Sequence, residues 1–183
     1  MSEITSDLDK ISLADKLILP GVGAFDNGMK NIRSKGLEPL LRKKVLEDKV
    51  PILGICLGMQ LLCDGSEEGK DPGLGWIPGF ARKFKFNSEN KSLKIPHMGW
   101  NNVQITGNSE LFKDFLPEMR FYFVHSYHVV CDNPENILLT VDYGGFLAAA
   151  IKKDNIFGTQ FHPEKSHKFG MQLLKNFAEL QVC

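Results

Sequence analysis

The side chains best suited to covalent chemistry in this chain are one cysteine and one histidine–glutamate pair. In "VPILGICLGMQLL" (50–62) Cys56 stands between Gly54 and Gly58, where an apolar run gives way to a helical pattern. G-x-C-x-G at a strand-to-helix corner has the layout of a nucleophile elbow: the glycines let the backbone turn tightly and leave the thiol exposed above a sheet. The unpaired N–H groups and positive dipole end of the following helix then face the sulfur, which is expected to lower its pKa and favour the nucleophilic thiolate. A buried structural cysteine fits the GICLG pattern equally well, so the reading needs partners.

A cysteine hydrolase requires a base that takes and returns a proton, and a group that orients the base. "QFHPEKS" (160–166) offers His162 and Glu164 directly after the apolar run "IFGTQF", with Pro163 stiffening the link between them. An isolated HPE is more simply a surface histidine beside an acid. Joined to an elbow cysteine, it reads as a triad. The remaining cysteines lack such a setting: Cys63 is placed mid-helix, Cys131 at a strand end and Cys183 at the terminus. The four are widely spaced, with no CxxC pair and no ligand spacing with histidine, which argues against a zinc site or a disulfide framework.

The elements that must position these groups follow from hydrophobic patterning. "KLIL" (16–19) running into "PGVG" reads as a buried strand and tight loop. "FDNGMKNIRSKG" (25–36) and "EPLLRKKVLEDK" (38–49) read as helices. In the second, Leu40, Leu41, Val45 and Leu46 share a face and charged residues fill the remainder. "VPILGI" (50–55) has the continuous apolar texture of a parallel strand covered on both sides. Strand, helix and strand in that order predict an α/β fold, a doubly wound, mostly parallel sheet flanked by helices. In such sheets functional residues gather at the carboxyl ends of strands, where Cys56 and His162 can meet.

Beyond Trp76 the texture changes. "FARKFKF", "NNVQI", "RFYFVHSYHVV", "ILLTVDY" and "FLAAAIKK" are short β-type runs separated by Gly, Asn, Asp and Pro, which adds antiparallel hairpins to the parallel sheet. "HKFGMQLLKNFAELQ" closes the chain as a helix, with Ser166 placed as its N-cap. No repeat, low-complexity segment or linker interrupts the pattern, so residues 1–183 are expected to form one domain.

Composition narrows the function classes. The 183 residues are 43% hydrophobic, enough for a sizeable core. Acidic and basic residues number 22 each, so no nucleic-acid footprint or membrane-binding surface is indicated. No apolar run approaches the length of a membrane span, and the start has no signal-peptide pattern, so a cytoplasmic protein is expected.

Together "PGVG", "GICLGMQLL" and "GTQFHPEKS" resemble the class I (triad) glutamine amidotransferases. "PHMGWN" (96–101), "FYFVHSYHV" (121–129) and "HPEKS" narrow the resemblance to the glutaminase subunits of imidazole glycerol phosphate synthase, over nearly the whole chain. The resemblance implies that Cys56 attacks the carboxamide of L-glutamine, that His162 protonates the departing ammonia and that Glu164 holds the imidazole. It implies an oxyanion site from the Leu57 N–H and an N–H of the PGVG loop at Val22 or Gly23, a loop whose glycines permit the peptide to reorient. Gln60 and backbone groups near Ser126 and Tyr127 would bind the substrate amino acid. No cofactor or metal is implied. The implied partner is a TIM-barrel cyclase subunit receiving ammonia in a heterodimer of histidine biosynthesis, with Trp100, Tyr122 and Lys165 at the interface.

One departure stands out. The family's first strand and helix, with a "DYGMGN"-like turn, have no counterpart, and "ITSDLDKISLADKLILPGVG" matches from the second strand onward. About 30 residues, one βα unit, are thus expected to be missing, exposing a strand edge and an apolar face. Other readings stay open: a paralogous subunit supplying ammonia to a sugar amidotransferase, another cysteine hydrolase acting on γ-glutamyl bonds, or a binding subunit without catalysis.

Overall fold

The computed structural model describes residues 2–86, 92–115 and 118–181; Cys183 lies outside them. In chain order the helices are α1 (Leu8–Ser12), α2 (Phe25–Ser34), α3 (Leu37–Arg42), α4 (Leu57–Leu61) and α5 (His167–Glu179). The strands are β1 (Leu17–Gly21), β2 (Ile52–Cys56), β3 (Gly65–Ser66), β4 (Gly79–Lys83), β5 (His97–Ile105), β6 (Arg120–His125), β7 (Tyr127–Cys131), β8 (Ile137–Asp142), β9 (Phe146–Lys153) and β10 (Ile156–Thr159).

Seven strands form one sheet in the order β1-β2-β10-β9-β8-β5-β6, and β3-β4-β7 form a smaller one. The parallel core consists of β1, β2 and β10. The expected hairpins continue the sheet in antiparallel fashion through β9, β8, β5 and β6. Side-chain alternation along the central strands separates two layers of core. Ile52 and Ile156 face a cluster with Phe25, Met29, Val45 and Met59 on the side of α2 to α4. Leu53 and Phe157 face the other, with Phe121, Phe161, Leu173 and Phe177 on the side of α5. A strand buried on both faces needs apolar residues at every position, and all five residues of β2 are buried.

Local chemistry explains where elements stop. Gly36, at φ 66°, separates α2 from α3, and the second predicted helix continues past Arg42 as a π-turn over Lys43–Glu47. The helix after Cys56 is shorter than the sequence pattern suggests. It ends at Leu61, so Cys63 lies beyond it and not mid-helix; its thiol donates to the Met59 carbonyl. Gly73, Gly75 and Trp76 donate their N–H groups to the Asp64, Cys63 and Leu62 carbonyls, which holds the chain after α4 in a compact loop instead of further helical turns.

Ser166 occupies the N-cap position of α5, but its hydroxyl makes no cap bond. It donates to the His162 carbonyl (2.6 Å) and accepts from the Tyr122 N–H (3.0 Å), so it braces a loop rather than the helix. Among the described residues, no helix is long and apolar enough to cross a membrane. β1 lies at one edge of the large sheet, with Ile18 48% exposed and Val22 81% exposed.

Candidate active site

Parallel pairing delivers the elbow and the histidine loop to the same end of the sheet. β2 lies between β1 and β10 in register, with Gly21 opposite Cys56 and Thr159 opposite Ile55. The PGVG loop and the QFHPE segment therefore leave the sheet on either side of Cys56.

Cys56 itself sits at φ 55° and ψ −108°, a conformation rare for a side chain other than glycine. The turn closes because its glycines allow backbone to pack on backbone. A Cβ on Gly58 would lie 1.8 Å from the Leu19 carbonyl oxygen, and one on Gly54 would lie 2.7 Å from the Gly58 and Met59 backbone. Any side chain at either position would push α4 off β1 or β2 and open the corner.

The thiol is nearly enclosed, 8% exposed. Its pKa is pushed up to about 11, because burial outweighs the hydrogen bond from the Leu57 N–H. The expected lowering is therefore reversed in the free chain: the five-residue α4 supplies a donor to the sulfur but too little to offset desolvation. Glu164 raises the value further, while Gln160 and Lys165 lower it. At rest Cys56 is a thiol, and forming a thiolate from it requires a proton acceptor.

His162 is the candidate for that role. Its Nδ1 is 2.6 Å from Glu164 Oε1, and its Nε2 is buried with no hydrogen-bond partner among the described residues. Because the carboxylate takes up Nδ1–H, the orphaned Nε2 is left as the nitrogen able to accept a proton. A buried imidazole nitrogen without a partner is costly in a folded protein, and a reacting group is one reason for it to persist. The loop is fixed at three points. The His162 N–H donates to the Tyr122 carbonyl (2.9 Å), and the Ser166 hydroxyl joins the His162 carbonyl to the Tyr122 N–H. Glu164 lies in the 3-10 turn Pro163–Lys165, one turn from the histidine.

Of the other expected residues, Gln60 is linked to Cys56 through Gln160, and the PGVG loop leaves β1 opposite Cys56. Gly23, at φ 96°, has open space around its Cα, and the α2 N-terminus that follows is capped by Glu68, whose Oε2 accepts from the Phe25 N–H at 2.8 Å. Gln60 is 5% exposed and donates to the Tyr127 carbonyl and to Gln160 Oε1, both at 3.2 Å. At Ser126 the chain leaves β6 in the large sheet and enters β7 in the small one, which turns Tyr127 toward Gln60.

Trp100 pairs with Tyr122 across β5 and β6, with ring centroids 6.1 Å apart, and Lys165 Nζ lies over the Tyr122 ring at 5.9 Å. Trp100 stays 42% exposed, beside a groove of about 540 Å³ lined by Arg120, Ser166, His167, Lys168 and Phe169. The three expected interface residues thus form one surface at the β6 edge, and Tyr122 is tied through its backbone to His162.

Gln160, which no sequence motif singles out, also reaches this centre. It is fully buried, and its Nε2 lies 3.8 Å from Cys56 Sγ. Strand alternation carried the signal: Gln160 and His162 share one face of an extended segment, while Phe161 between them points into the core.

Comparison with known proteins defines the class. The family model described as "Glutamine amidotransferase class-I" matches residues 2–180, and the chain belongs to that family. Among curated relatives, it is 55% identical to "Imidazole glycerol phosphate synthase subunit HisH 2" of Methanococcus maripaludis, covering 95% of this chain and 85% of the relative. It is 50% identical to the protein of the same description from Pseudomonas aeruginosa, over 94% of this chain and 84% of that one. A solved structure described as "Crystal structure of glutamine amidotransferase" shares the fold with a TM-score of 0.68 at 18% identity, covering 95% of this chain and 85% of that chain.

Proposed function

We propose that this chain is the glutamine-hydrolysing subunit of an imidazole glycerol phosphate synthase, working in histidine biosynthesis and passing ammonia to a TIM-barrel cyclase subunit. The observation that carries the reading is a strained elbow cysteine at the same sheet end as an imidazole whose Nδ1 is held by Glu164 and whose buried Nε2 has no partner among the described residues. The named relatives supply the choice of acceptor complex.

In this reading the Cys56 proton passes to His162 Nε2 as Sγ attacks the substrate carboxamide carbon. The C–N bond then breaks, with His162 returning the proton to the leaving nitrogen, so that ammonia departs and a glutamyl thioester remains. Water, deprotonated by the same nitrogen, opens the thioester to glutamate and restores the thiol. The Leu57 N–H and a peptide N–H at Val22 or Gly23 hold the oxyanion, each such donor being worth on the order of 10²–10³ in rate. Gln60 with the backbone at Ser126 and Tyr127 receives the amino-acid portion. Trp100, Tyr122 and Lys165 form the docking surface for the cyclase, and the whole chain acts as one domain.

The test is steady-state glutamine hydrolysis with and without a cyclase subunit and its acceptor ligand. Turnover is expected to rise strongly in the complex, because a buried, protonated thiol and an adjustable glycine loop describe a site at rest. Equal turnover in both conditions would remove the coupling from the account.

A further inference from the structure

A chain of hydrogen bonds reaches the sulfur through Gln160, and its polarity is fixed link by link. His125 Nδ1 lies 2.8 Å from the Tyr127 carbonyl, which can only accept, so that nitrogen carries a proton. His125 Nε2 is then the acceptor for His97 Nδ1 at 3.0 Å. His97 Nε2 in turn faces the Asn101 amide nitrogen at 3.5 Å. The same Tyr127 carbonyl accepts from Gln60, which sets the Gln60 amide with its nitrogen toward Tyr127 and Gln160. Gln160 must therefore turn Oε1 to Gln60, and its NH₂ group is left facing Cys56 Sγ. Its backbone is pinned as well, the N–H donating to the Ala149 carbonyl at 2.9 Å.

We propose that Gln160 is a positioning residue for the reaction: a buried amide, locked by Gln60 and Tyr127, that donates to the Cys56 sulfur and stabilises the thiolate formed when the proton leaves for His162. The thiol now donates to the Val124 carbonyl at 3.9 Å, so in the resting state the sulfur both gives and receives. On loss of its proton it keeps the Gln160 donor, a fixed dipole that needs no reorganisation as charge develops, while the Leu57 N–H passes from the sulfur to the oxyanion as the C–S bond forms. Gln160 also joins the nucleophile to Gln60, so the substrate pocket and the sulfur are set by one network. The influence of Gln160 on the thiol runs in the required direction, lowering its pKa against the effect of burial.

The proposal rests on Cys56 being the nucleophile, and the test separates the two. In the full chain, alkylation of Cys56 by iodoacetamide is followed by mass mapping of its peptide between pH 7 and 10, in wild type, Gln160→Met and Gln160→Glu. Both variants keep the side-chain length. Methionine removes the donor, while a carboxylate places an acceptor against the sulfur and still accepts from Gln60. A donor to a thiolate corresponds to a shift of about one to two pH units. Alkylation at pH 9 is therefore expected to fall about tenfold or more in Gln160→Met and further in Gln160→Glu. In the complex, Gln160→Glu is expected to lower kcat while KM for glutamine changes less than about threefold. Equal rates in wild type and the two variants, or equal losses in both, would overturn the proposal, since a merely structural role does not order them by charge. If one variant does not fold, the other against wild type decides by the same fall in rate. Full glutamine hydrolysis by Cys56→Ala would instead overturn the reading of the nucleophile, whatever Gln160 does.

Discussion

Every residue at the elbow answers to a short distance. Cys56 adopts its left-handed φ because Gly54 and Gly58 let β2 and α4 come within contact of one another, and Gly58 lies directly under the Leu19 carbonyl. A methyl group there cannot be accommodated by a rotamer change, since the neighbour is backbone. Gly58→Ala is therefore expected to destabilise the fold by at least about 3 kcal/mol, in the range where a core is overpacked against rigid surroundings. Gly23→Ala meets no atom and carries only its φ penalty, expected to be about 1 kcal/mol. Urea unfolding of the two variants measures the difference, and equal midpoints would show that the corner relaxes more freely than its packing implies.

At the scale of elements, the paired strands β5 and β6 carry a buried histidine pair, His97 opposite His125. Burial depresses His97 to about 4 and His125 to about 3, both below the ordinary value of 6.5. The unfolded chain therefore takes up protons first as pH falls. The stability these groups confer is complete above about 6.5 and is lost as pH drops toward 4 and then 3. The urea midpoint is expected to fall between pH 7 and pH 5, and to fall less steeply in His125→Phe. A midpoint flat over that interval would mean that the pair is protonated in the fold.

Elements were also where the sequence was most and least informative. The apolar run at 50–55, the elbow and the HPE pair were legible because each is a local pattern with one physical meaning. The end of α4 at Leu61 was not, because Leu62 and Cys63 continue an apolar pattern while the loop beyond them takes up their carbonyls. The position of Ser166 predicts a cap, but its hydroxyl is claimed by strand β6, a partner 44 residues away. Gln160 escaped for the same reason: its function lies in contacts with residues about 100 positions distant.

For the molecule as a whole, the large sheet has two edges with different characters. The β6 edge carries Trp100, Tyr122, Arg120 and Lys165, aromatic and basic groups stacked on one another. The β1 edge presents the half-exposed Ile18, with Val22 exposed in the loop just beyond the strand, the kind of apolar edge that invites pairing with another chain. Ile18→Lys is expected to reduce concentration-dependent association, read by light scattering, and to leave glutamine hydrolysis within about twofold, because its side chain lies away from the catalytic end. Unchanged scattering would show that this edge is not what associates.

The central claim is that ammonia is released from glutamine at the Cys56 site, with Cys56 as the nucleophile, and that the cyclase consumes it. The most direct measurement compares wild type and Cys56→Ala in the complex with the cyclase, supplied either with glutamine or with ammonium salt. Glutamine-dependent product formation is expected to vanish in the variant, falling by about 10⁴-fold or more, while ammonia-dependent formation stays at the wild-type rate. Persistence of glutamine-dependent turnover in Cys56→Ala, or loss of both activities together, would contradict the account.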